Sequence, residues 1–499
     1  MPTHPLHAAL ALHKSGRLDD ARLAYERMLS TAPEHVEALN LLGVLHLQQG
    51  RAGQAAAVLG KAASKRPDRS DIHNNFGNAL RAQGDRQGAI AAWEKALHLD
   101  PADADAWCNL GVARIEGGDV DAAAAAWEKA IAANPAHADA IDLLAVSRSQ
   151  RGAHAEAIAL WRRALGVHPG HLRSRENLAA ALQQQGAAAL SRSSAAEALP
   201  LLDESIRLSP QDPAGHLFRS DALRQLGRLR DAFESCQDAL QLDPSRPEVH
   251  HNIGNLFKET GQNDQAIAAY QKAIALGSTH PATKLALDAL TGATPDAAPQ
   301  AVVRDLFDSY AERFDAHLVD ELGYRTPTLL RQLYDRVGGE KVRRLLDLGC
   351  GTGLSGEAFS DTSAEMIGVD LSGKMVATAR EKGLYARLHV GEVVRFLEAS
   401  TARFELILAA DVLVYIGDLS PLMAAAAARC KNGARFLLSV EQSEQAGFHL
   451  QKSERFAHSS DYVRQIAADH GFSVEASERS QLRKDEGRWI SGELFCLRR

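Results

Sequence analysis

Residues 345–353, LLDLGCGTG, decide how the second half of this 499-residue chain folds. An apolar run ends there in Asp347 and in three glycines on alternate positions, which let a backbone approach a ligand closely. A phosphate-binding P-loop requires GxxxxGK followed by Ser or Thr, and a dinucleotide fingerprint requires GxGxxG; this loop matches neither. The carboxylate of Asp347 would also repel a pyrophosphate, so the loop favours a ligand with a cationic centre and an amino group.

Four further apolar runs follow the glycine loop, with helical sequence between them. They cover residues 365–372, 386–392, 404–412 and 434–441. Buried parallel strands read as continuous apolar runs, and their alternation with helices predicts a doubly wound α/β sheet. Ligands of such sheets bind at the carboxyl ends of the strands. The glycine loop, Asp370, Glu392 and Asp411 stand at these ends, so we expect one binding site there.

The acidic residues at the strand ends suit one kind of cofactor. Asp370 ends the apolar run that follows the glycine loop, where a carboxylate can accept hydrogen bonds from both hydroxyls of a ribose. Glu392 is placed to meet an adenine amino group, and Leu371 and Met375 are placed to sandwich the adenine ring. S-adenosylmethionine has a sulfonium, an α-amino group and no phosphate, and it is therefore the cofactor that we expect.

The first half of the chain is a repeat array in which prolines recur at a nearly constant interval. A glycine stands at a fixed distance before most of these prolines, as Gly50 does before Pro67, and an alanine stands at a fixed distance before each of them, as Ala55 does. Such a unit is a helix, a turn at the glycine and a second helix that ends near the proline, and these units stack into an all-α solenoid. The prolines are Pro33, Pro67, Pro101, Pro135, Pro169, Pro210 and Pro244.

Residues 107–135, WCNLGVARIEGGDVDAAAAAWEKAIAANP, closely resemble the tetratricopeptide repeat. The resemblance extends over residues 2–280 with about eight repeats, and seven extra residues in the sixth predict a longer turn or a helix extension. We expect a capping helix next, so that the solenoid occupies residues 2–291. Residues 292–300 are rich in Gly, Pro and Ala and predict a linker in which little packs, followed by a second domain at 301–499.

Asparagines recur on the first helix of several repeats. An asparagine amide offers both a donor and an acceptor, so a ladder of them can bind the backbone of an extended peptide. Some peptide-binding tetratricopeptide proteins use such ladders, and the resemblance implies a groove for a protein or peptide partner. The alternative is that these asparagines cap helices or bridge neighbouring repeats. The residues are Asn75, Asn109, Asn177 and Asn252 at one repeat position, with Asn78 and Asn255 in two of the repeats.

The motifs LLDLGCGTG, IGVDLS and ADVLVYIGDL together resemble the class I S-adenosylmethionine-dependent methyltransferases, over residues 300–499. The whole layout is similar to methyltransferases that carry an N-terminal tetratricopeptide array. The resemblance implies a Rossmann-like α/β domain with a seven-stranded sheet closed by an antiparallel hairpin. It also implies cofactor contacts from Asp347, Gly349, Gly351, Gly353, Asp370, Leu371, Met375, Glu392, Val393 and Asp411.

Methyl transfer depends mainly on positioning, and a general base is needed only if the acceptor atom must lose a proton early. Asp411 and Tyr415 follow the fourth strand, His317 belongs to the helices before the sheet, and His458 lies in the loop after the fifth strand. These four are the candidate catalytic residues, although each histidine also fits a surface or capping role. No NPPY-type tetrapeptide follows the fourth strand, which argues against the amide and adenine N-methyltransferases that use it.

The composition narrows the range of partners and locations. A net charge of −7 and a pI near 6.3 argue against nucleic acid or an anionic membrane as a general partner. No apolar run approaches the roughly 20 residues that span a bilayer. Five scattered cysteines without CxxC spacing fit a reducing cytoplasm better than a disulfide or zinc framework. We expect no bound metal, because magnesium-dependent O-methyl transfer requires several carboxylates and an asparagine around one point, where the sequence clearly offers only Asp411.

The leading hypothesis is an S-adenosylmethionine-dependent methyltransferase whose repeats recruit a protein or peptide-like substrate or partner. One alternative is a small-molecule or sugar methyltransferase that its repeats dock to a complex. Another is a non-catalytic tetratricopeptide scaffold, against which the intact glycine loop and the acidic residues at the strand ends argue.

Overall fold

The computed structural model describes residues 5–485 and 487–499 of the chain. Helices occupy its first part, and a β-sheet with helices on its faces begins at residue 342. The helices of the repeat region are α1 (Pro5–Lys14), α2 (Leu18–Thr31), α3 (Val36–Gln48), α4 (Ala52–Lys65), α5 (Ser70–Gln83), α6 (Arg86–Leu99), α7 (Ala104–Glu116), α8 (Val120–Ala133), α9 (Ala138–Gln150), α10 (His154–Val167), α11 (Leu172–Ser191), α12 (Ala195–Leu208), α13 (Pro213–Gln225), α14 (Leu229–Leu242), α15 (Pro247–Glu259), α16 (Asn263–Ala275) and α17 (Pro281–Thr291).

The second part begins with helices and continues as alternating strands and helices. Its elements are α18 (Gln300–Tyr310), a 3-10 helix (Ala311–Arg313), a π-helix (Ala316–Glu321), α19 (Thr326–Arg336), β1 (Val342–Leu348), α20 (Leu354–Ala358), β2 (Ser363–Asp370), α21 (Gly373–Glu381), β3 (Arg387–Val390), α22 (Val393–Ala399), β4 (Phe404–Ala409), a 3-10 helix (Leu413–Tyr415), α23 (Ser420–Arg429), β5 (Cys430–Gln442), β6 (Phe448–Leu450), β7 (Phe456–His458), α24 (Ser460–Asp469), β8 (Ser473–Asp485) and β9 (Arg488–Arg498).

The first sixteen helices form eight consecutive pairs, and α17 follows them as the expected capping helix. In seven pairs the turn contains a glycine with positive φ, from Gly16 to Gly261, as the repeat pattern predicted. In the sixth pair Ser193 takes the left-handed conformation with φ 56°, and α11 reaches 20 residues. The extra residues of the sixth repeat therefore lengthen a helix, and the all-α repeat fold is confirmed.

Aromatic residues of the repeats lie between the two helices of one pair. Trp93 of α6 is fully buried against Gly77 of α5, and Trp127 of α8 lies in the same way against Gly111 of α7. A methyl group at either glycine would lie within 2.5 Å of the indole ring. The close approach of the two helices thus depends on glycine in one of them and a large ring in the other.

The chain divides into two compact units. One comprises Met1–Gln184 and Glu204–Pro210, and the other comprises Gln185–Asp203 and Gln211–Arg499. The second unit therefore holds the last repeat helices together with the sheet, whereas the sequence placed a boundary at residues 292–300. The domain ranges 2–291 and 301–499 stay a prediction.

Residues 292–299 belong to the second unit, and residues 296–298 pack on its sheet domain. Ala297 forms an antiparallel bridge with Ile416, and the Ala298 N–H donates to the Tyr415 carbonyl at 3.0 Å. The side chain of Ala298 is buried. The prediction that little packs in this segment fails at residues 296–298, because backbone hydrogen bonds do not require particular side chains and composition does not reveal them.

The described strands form one sheet of nine strands, in the order β3-β2-β1-β4-β5-β7-β6 with β9 beside β5 and β8 beside β9. Strands β3, β2, β1, β4, β5 and β7 pair in parallel, and the β8–β9 hairpin joins β5 antiparallel, as expected. The α/β class is confirmed, but the predicted count of seven strands is wrong. The additional strands β6 and β7 have three residues each, too few to show a strand pattern in the sequence.

The β6–β7 hairpin lies at the carboxyl end of β4. Strand β4 pairs with β5 as far as Ala409 opposite Leu438, whereas β7 pairs with β5 at Glu441 and Gln442. Strand β9 takes the other edge of β5 up to Glu441. A strand has two edges, so β7 continues along the β4 edge just beyond the last residue of β4. This placement brings the turn between β6 and β7 to the edge where ligands bind.

The five cysteines are all buried free thiols. Within residues 5–485 and 487–499, no helix is long and apolar enough to cross a membrane. In the same part of the chain, no three side chains of His, Cys, Asp or Glu lie together in a group that could hold a metal ion.

Two glycine-to-alanine substitutions should change stability in opposite directions. Gly77→Ala places a methyl group 2.5 Å from the Trp93 Nε1 atom and should lower the free energy of unfolding by about 1–3 kcal/mol. Gly53→Ala, at an exposed position of α4 with no atom within 4 Å of the new methyl group, should raise it by about 0.5–1 kcal/mol. Urea unfolding followed by tryptophan fluorescence measures both. Equal stability of the two variants would contradict the packing described above.

Candidate active site

A cavity of about 320 Å³ lies at the carboxyl ends of the central strands. Its wall includes the glycine loop after β1, Asp370 at the end of β2, Glu392 after β3 and Asp411 after β4. These are the strand ends at which the sequence predicted one site. They surround a single space because the carboxyl ends of parallel strands meet at the same edge of a sheet.

The glycine loop turns with positive φ at Gly349, Gly351 and Gly353. A methyl group at Gly349 would lie 2.2 Å from a Val412 methyl carbon, so the loop and the end of β4 approach closely there. Gly351 lines the cavity, and a methyl group on it would meet no atom within 4 Å. Gly353 begins α20 and packs near Tyr385, away from the cavity wall. The cavity therefore has open space for a ligand next to the Gly351 Cα atom.

Asp370 is almost completely buried and fixes the glycine loop. Its Oδ2 accepts the Gly351 N–H at 2.8 Å, and its Oδ1 accepts the Ser372 N–H at 2.8 Å. Burial raises the pKa of Asp370, while these two hydrogen bonds favour the charged form. Each carboxylate oxygen has two lone pairs, so the group can still accept donors from the cavity.

Other residues predicted to touch the cofactor separate into two groups. Glu392, Val393 and Leu371 line the cavity, and the Glu392 carboxylate also caps α22 by accepting two backbone N–H groups at 2.8 Å. Met375 is fully buried in α21 and does not belong to the cavity wall. Leu371 and Met375 therefore do not form the expected sandwich, because α21 turns the Met375 side chain into the core.

Asp347 lies behind the glycine loop and is not part of the cavity wall. Its Oδ2 accepts the Tyr385 hydroxyl at 2.6 Å, and its Oδ1 has no hydrogen-bond partner among the described residues. Burial, and to a smaller extent the charge of Asp370, raise the pKa of Asp347 to about 7. The Asp347 side chain is therefore held by Tyr385 and offers no direct contact with a ligand in the cavity.

Residues 300–322, from α18 to the end of the π-helix, form one side of the cavity. Two aspartates hold this cover on the loops that surround the site. Asp308 accepts the Ser372 hydroxyl after β2, and Asp315 accepts the Thr352 hydroxyl of the glycine loop. The aromatic residues that the cover contributes to the cavity wall are Phe307, Tyr310 and Phe314.

Four charged side chains, here called the arginine network, occupy the end of the cavity beyond β4. They are Asp411, Glu441, Arg455 and Arg483. Arg455 donates to Glu441 at 2.7 Å, to both oxygens of Asp411 at 3.0 and 3.1 Å, and to the Tyr415 hydroxyl at 3.0 Å. Arg483 donates to Glu441 at 3.1 Å. Two carboxylates thus balance two guanidinium groups in a place with little water.

The sequence pointed to Asp411 and Tyr415 but missed Arg455, Arg483 and Glu441. Arg455 and Arg483 line the cavity together with Asp411 and Tyr415. No spacing rule links the arginines to Asp411, because only the sheet brings them together. Strand β7, which begins just after Arg455, pairs with β5, and β8, which carries Arg483, is joined to β5 through β9. Both oxygens of Asp411 accept hydrogen bonds from Arg455, which fixes the orientation of this carboxylate. Burial raises the pKa of Tyr415, which keeps its hydroxyl protonated.

The two candidate histidines lie outside the cavity wall. His458 is fully buried in β7, with its Nε2 2.9 Å from the Ile416 carbonyl and 3.0 Å from the Gly417 carbonyl. Burial lowers the pKa of His458 to about 4, so it is neutral at pH 7. His317 lies in the π-helix and pairs with the Tyr310 hydroxyl. The structure gives both histidines contacts within the fold and brings neither to the ligand space.

Cys350 of the glycine loop also lines the cavity and is nearly buried. Burial raises the pKa of the Cys350 thiol, with smaller contributions from the charges of Asp347 and Asp370. A thiol that stays protonated is a poor nucleophile, so Cys350 fits a small packing residue in the turn.

The asparagines at the shared repeat position bridge neighbouring repeats. Each donates its Nδ2 to a side-chain oxygen of the preceding repeat, at 3.0 to 3.2 Å. Asn255 instead accepts the Tyr270 hydroxyl within its own repeat at 2.7 Å, and Asn78 is half-buried on α5. The bridging pairs are Asn75–Asn40, Asn109–Asn74, Asn177–Asp142 and Asn252–Asp221.

The raised pKa of Asp347 should make stability depend on pH. Because the folded state binds this proton more tightly than the unfolded state does, the contribution of Asp347 to stability falls as pH rises from about 4 to about 7. Asparagine does not ionise, so Asp347→Asn should remove that fall. The difference in the free energy of unfolding between the variant and the native chain should therefore shift by about 1–4 kcal/mol in favour of the variant as pH rises from about 4 to about 7. Urea unfolding at pH 4, 5.5 and 7.5 measures it. Parallel pH profiles of the two proteins would show that Asp347 is ionised in the fold.

Family models match both parts of the chain. The model described as a methyltransferase domain matches residues 322–478, which include β1 to β7. Models described as tetratricopeptide repeats match five segments of the first part. These segments are residues 12–74, 77–116, 104–137, 221–261 and 247–277.

Individual proteins are similar to a share of the chain. A ubiquinone biosynthesis O-methyltransferase of Aromatoleum aromaticum is 28% identical over 110 residues, which are 21% of this chain and 47% of the relative. The chain thus spans about half the length of the curated relatives that it matches. A 1,6-didemethyltoxoflavin-N1-methyltransferase of Burkholderia thailandensis is 20% identical, with 41% of this chain and 92% of that one covered at a TM-score of 0.34.

A tetratricopeptide repeat protein of Parabacteroides merdae is 19% identical, with 51% of this chain and 98% of that one covered at a TM-score of 0.31. The repeat matches fall within the helix pairs, and the methyltransferase match contains the strand ends that line the cavity, whereas most of the cover at residues 300–322 and Arg483 lie outside it. The chain therefore carries tetratricopeptide repeats in its N-terminal part and a methyltransferase domain in its C-terminal part.

Proposed function

We propose that this protein is an S-adenosylmethionine-dependent methyltransferase whose cofactor binds in the cavity at the strand ends. The observation that carries the proposal is the convergence of the glycine loop, Asp370 and Glu392 on that one cavity. The match to the methyltransferase family model contains all three features and supports the same reading.

The residues of the cavity fit this cofactor. The open space above Gly351 lets a ligand lie against the loop backbone. Asp370 has lone pairs left for the two ribose hydroxyls, and Leu371 and Val393 offer apolar surface to an adenine ring. The acidic side chains of this part of the wall are Asp370 and Glu392, which suit a sulfonium and an ammonium better than phosphates.

The side chains act mainly by positioning the two reactants. When bound, S-adenosylmethionine supplies a methyl group on a sulfonium, which an acceptor atom can take up as the carbon–sulfur bond breaks. The cover at residues 300–322 restricts water, and the arginine network closes the end of the cavity beyond β4. Since Arg455 occupies both oxygens of Asp411, we place no general base at Asp411 and expect the acceptor proton to leave to solvent.

We propose a small molecule as the methyl acceptor. The cavity is about 320 Å³, is walled by Phe307, Tyr310 and Phe314, and is covered by α18. These features suit a small apolar body better than a folded protein surface. The curated relatives are named ubiquinone biosynthesis O-methyltransferases, and ubiquinone is a small molecule, so their similarity points in the same direction. In this proposal the repeats dock the enzyme to a protein partner.

A protein acceptor recruited by the repeats is the second candidate. Asn75, Asn109 and Asn177 each use one N–H of the amide between repeats. The amide has a second N–H and a carbonyl, which an extended peptide could engage. Transfer of labelled methyl groups from S-adenosylmethionine into a lysate, separated into protein and small-molecule fractions, decides between the two acceptors. Label in the small-molecule fraction is the expected result, and label in neither fraction would contradict methyl transfer itself.

The carboxylate of Asp370 should decide the affinity for the cofactor. Asp370→Ala removes the acceptor for the ribose hydroxyls and the bond that holds Gly351, so the Kd of S-adenosylhomocysteine should rise at least tenfold, or about 1.4 kcal/mol. Isothermal titration calorimetry on the full chain measures it. Glu381→Ala, an exposed carboxylate on α21, is the matched control and should bind as the native protein does. If the two variants bound S-adenosylhomocysteine equally well, Asp370 would not belong to the cofactor site.

The bridging asparagines should matter for stability and not for the cofactor. Asn109→Ala with Asn177→Ala deletes two hydrogen bonds between repeats and should lower the free energy of unfolding by about 1–3 kcal/mol in total. The affinity for S-adenosylhomocysteine should stay unchanged. If the folded double variant loses methylation of a protein fraction while cofactor binding is intact, the protein acceptor becomes the better reading.

A further inference from the structure

The end of the cavity beyond β4 has a surplus of hydrogen-bond donors. Arg455 uses its Nε for Glu441, its Nη2 for Asp411 and one hydrogen of its Nη1 for the Tyr415 hydroxyl. A guanidinium carries five N–H groups, so one Nη1 hydrogen has no partner within the described part of the chain. The Tyr415 hydroxyl accepts from Arg455 and has its own hydrogen left to donate.

The two carboxylates at this end already accept hydrogen bonds from the arginines. Both oxygens of Asp411 face Arg455, and Glu441 accepts from both arginines without belonging to the cavity wall. The wall therefore offers a guanidinium N–H and a hydroxyl that need an acceptor, in a place of low water content. A carboxylate supplies two oxygens with the spacing that an arginine and a neighbouring donor can meet.

Aromatic side chains stand beside these donors. The Phe307 ring lies edge-on to the Tyr415 ring with 5.5 Å between centroids, and Tyr310 and Phe314 continue the same wall. The Arg455 guanidinium lies over the face of the Tyr415 ring, with its Cζ atom 5.3 Å from the ring centroid. The planar ring of an acceptor can pack against these aromatic side chains and loses little conformational freedom on binding. A charged substituent on that ring would then reach the donors of Arg455 and Tyr415.

The turn that carries Arg455 is held by a repeat helix of the same compact unit. Glu454, the residue before Arg455, pairs with Lys258 of α15 and has φ 64°, which is rare for a residue with a side chain. Leu285 of α17 lies in one buried cluster with Phe456, which follows Arg455. The position of the guanidinium therefore depends on the repeats as well as on the sheet.

We propose that Arg455 and Tyr415 form the acceptor subsite of this enzyme, that the subsite takes the carboxylate of a small aromatic acid, and that Lys258 of α15 positions Arg455 through Glu454. This inference rests on the proposed methyl transfer and names the class of its acceptor. Arg455 and Tyr415 contact the acceptor directly, and Lys258 is a positioning residue.

Benzoate and benzamide, which share a ring and differ in charge, test the subsite. The full chain is saturated with S-adenosylhomocysteine and titrated with each probe in a calorimeter at pH 7.5. Benzoate should bind at least tenfold more tightly than benzamide. Failure of S-adenosylhomocysteine to bind refutes the proposed function, whereas equal binding of the two probes to the loaded protein refutes the subsite alone.

Three substitutions test whether Arg455 and Tyr415 cause the preference for benzoate over benzamide. Tyr415→Phe removes only the hydroxyl and should weaken benzoate about fivefold, with benzamide changed less. Arg455→Lys keeps a positive charge beside Asp411 but not the planar fork, and should remove most of the preference for benzoate. Lys452→Ala, an exposed cation on the same turn, is the matched control and should bind both probes as the native chain does. An unchanged preference in folded Arg455→Lys overturns the assignment of Arg455.

A charge exchange tests the role of the repeat helix. Lys258→Glu should repel Glu454 and weaken benzoate several-fold, while the Kd of S-adenosylhomocysteine stays the same. Lys258→Glu combined with Glu454→Lys restores an opposite-charge pair and should recover benzoate binding. A merely structural role would lower the melting temperature without a selective change in benzoate affinity. That result, or the absence of recovery in the double variant, overturns the positioning role of Lys258.

Discussion

The ion pairs of Arg455 with Asp411 and Glu441 are the contacts on which the ligand end of the sheet domain depends. They join the end of β4, the last part of β5 and the turn before β7, and Arg483 of β8 joins them through Glu441. Loss of one member would leave a buried charge uncompensated, which typically costs about 3–5 kcal/mol. The network also explains why Asp411 can keep a left-handed backbone with φ 59°, since Arg455 holds its side chain and the Ser439 hydroxyl accepts its N–H at 2.9 Å.

The cover and the cofactor loops form a second connected system. Asp308 and Asp315 reach from the cover to Ser372 and Thr352, which flank the strand ends that should hold the cofactor. Asp370 in turn fixes the glycine loop through the Gly351 N–H. These hydrogen bonds join the cover, the glycine loop and the end of β2 into one connected set.

The positions predicted from sequence agree with the structure where they depend only on where each strand ends. Gly351 and Asp370 reach one cavity because each ends a strand, and parallel strands end at one edge. The prediction for Met375 failed because the direction of a helical side chain depends on how α21 packs on the sheet. His458 looked like a loop residue, but it lies in a strand of three residues that no sequence pattern could reveal.

The sequence by itself determined the repeat period, the class of the sheet and the residues of the glycine loop. These properties come from short-range regularities: prolines at a nearly constant interval, alternating apolar and helical segments, and glycines in a tight turn. Only the tertiary structure decided that the asparagines bridge repeats, that residues 296–298 pack on the sheet domain and that Arg455 and Arg483 reach the cavity. Those contacts join residues far apart in the chain, so no local pattern reveals them; Arg455, for example, reaches the cavity because β7 takes the free edge of β5 beyond the end of β4.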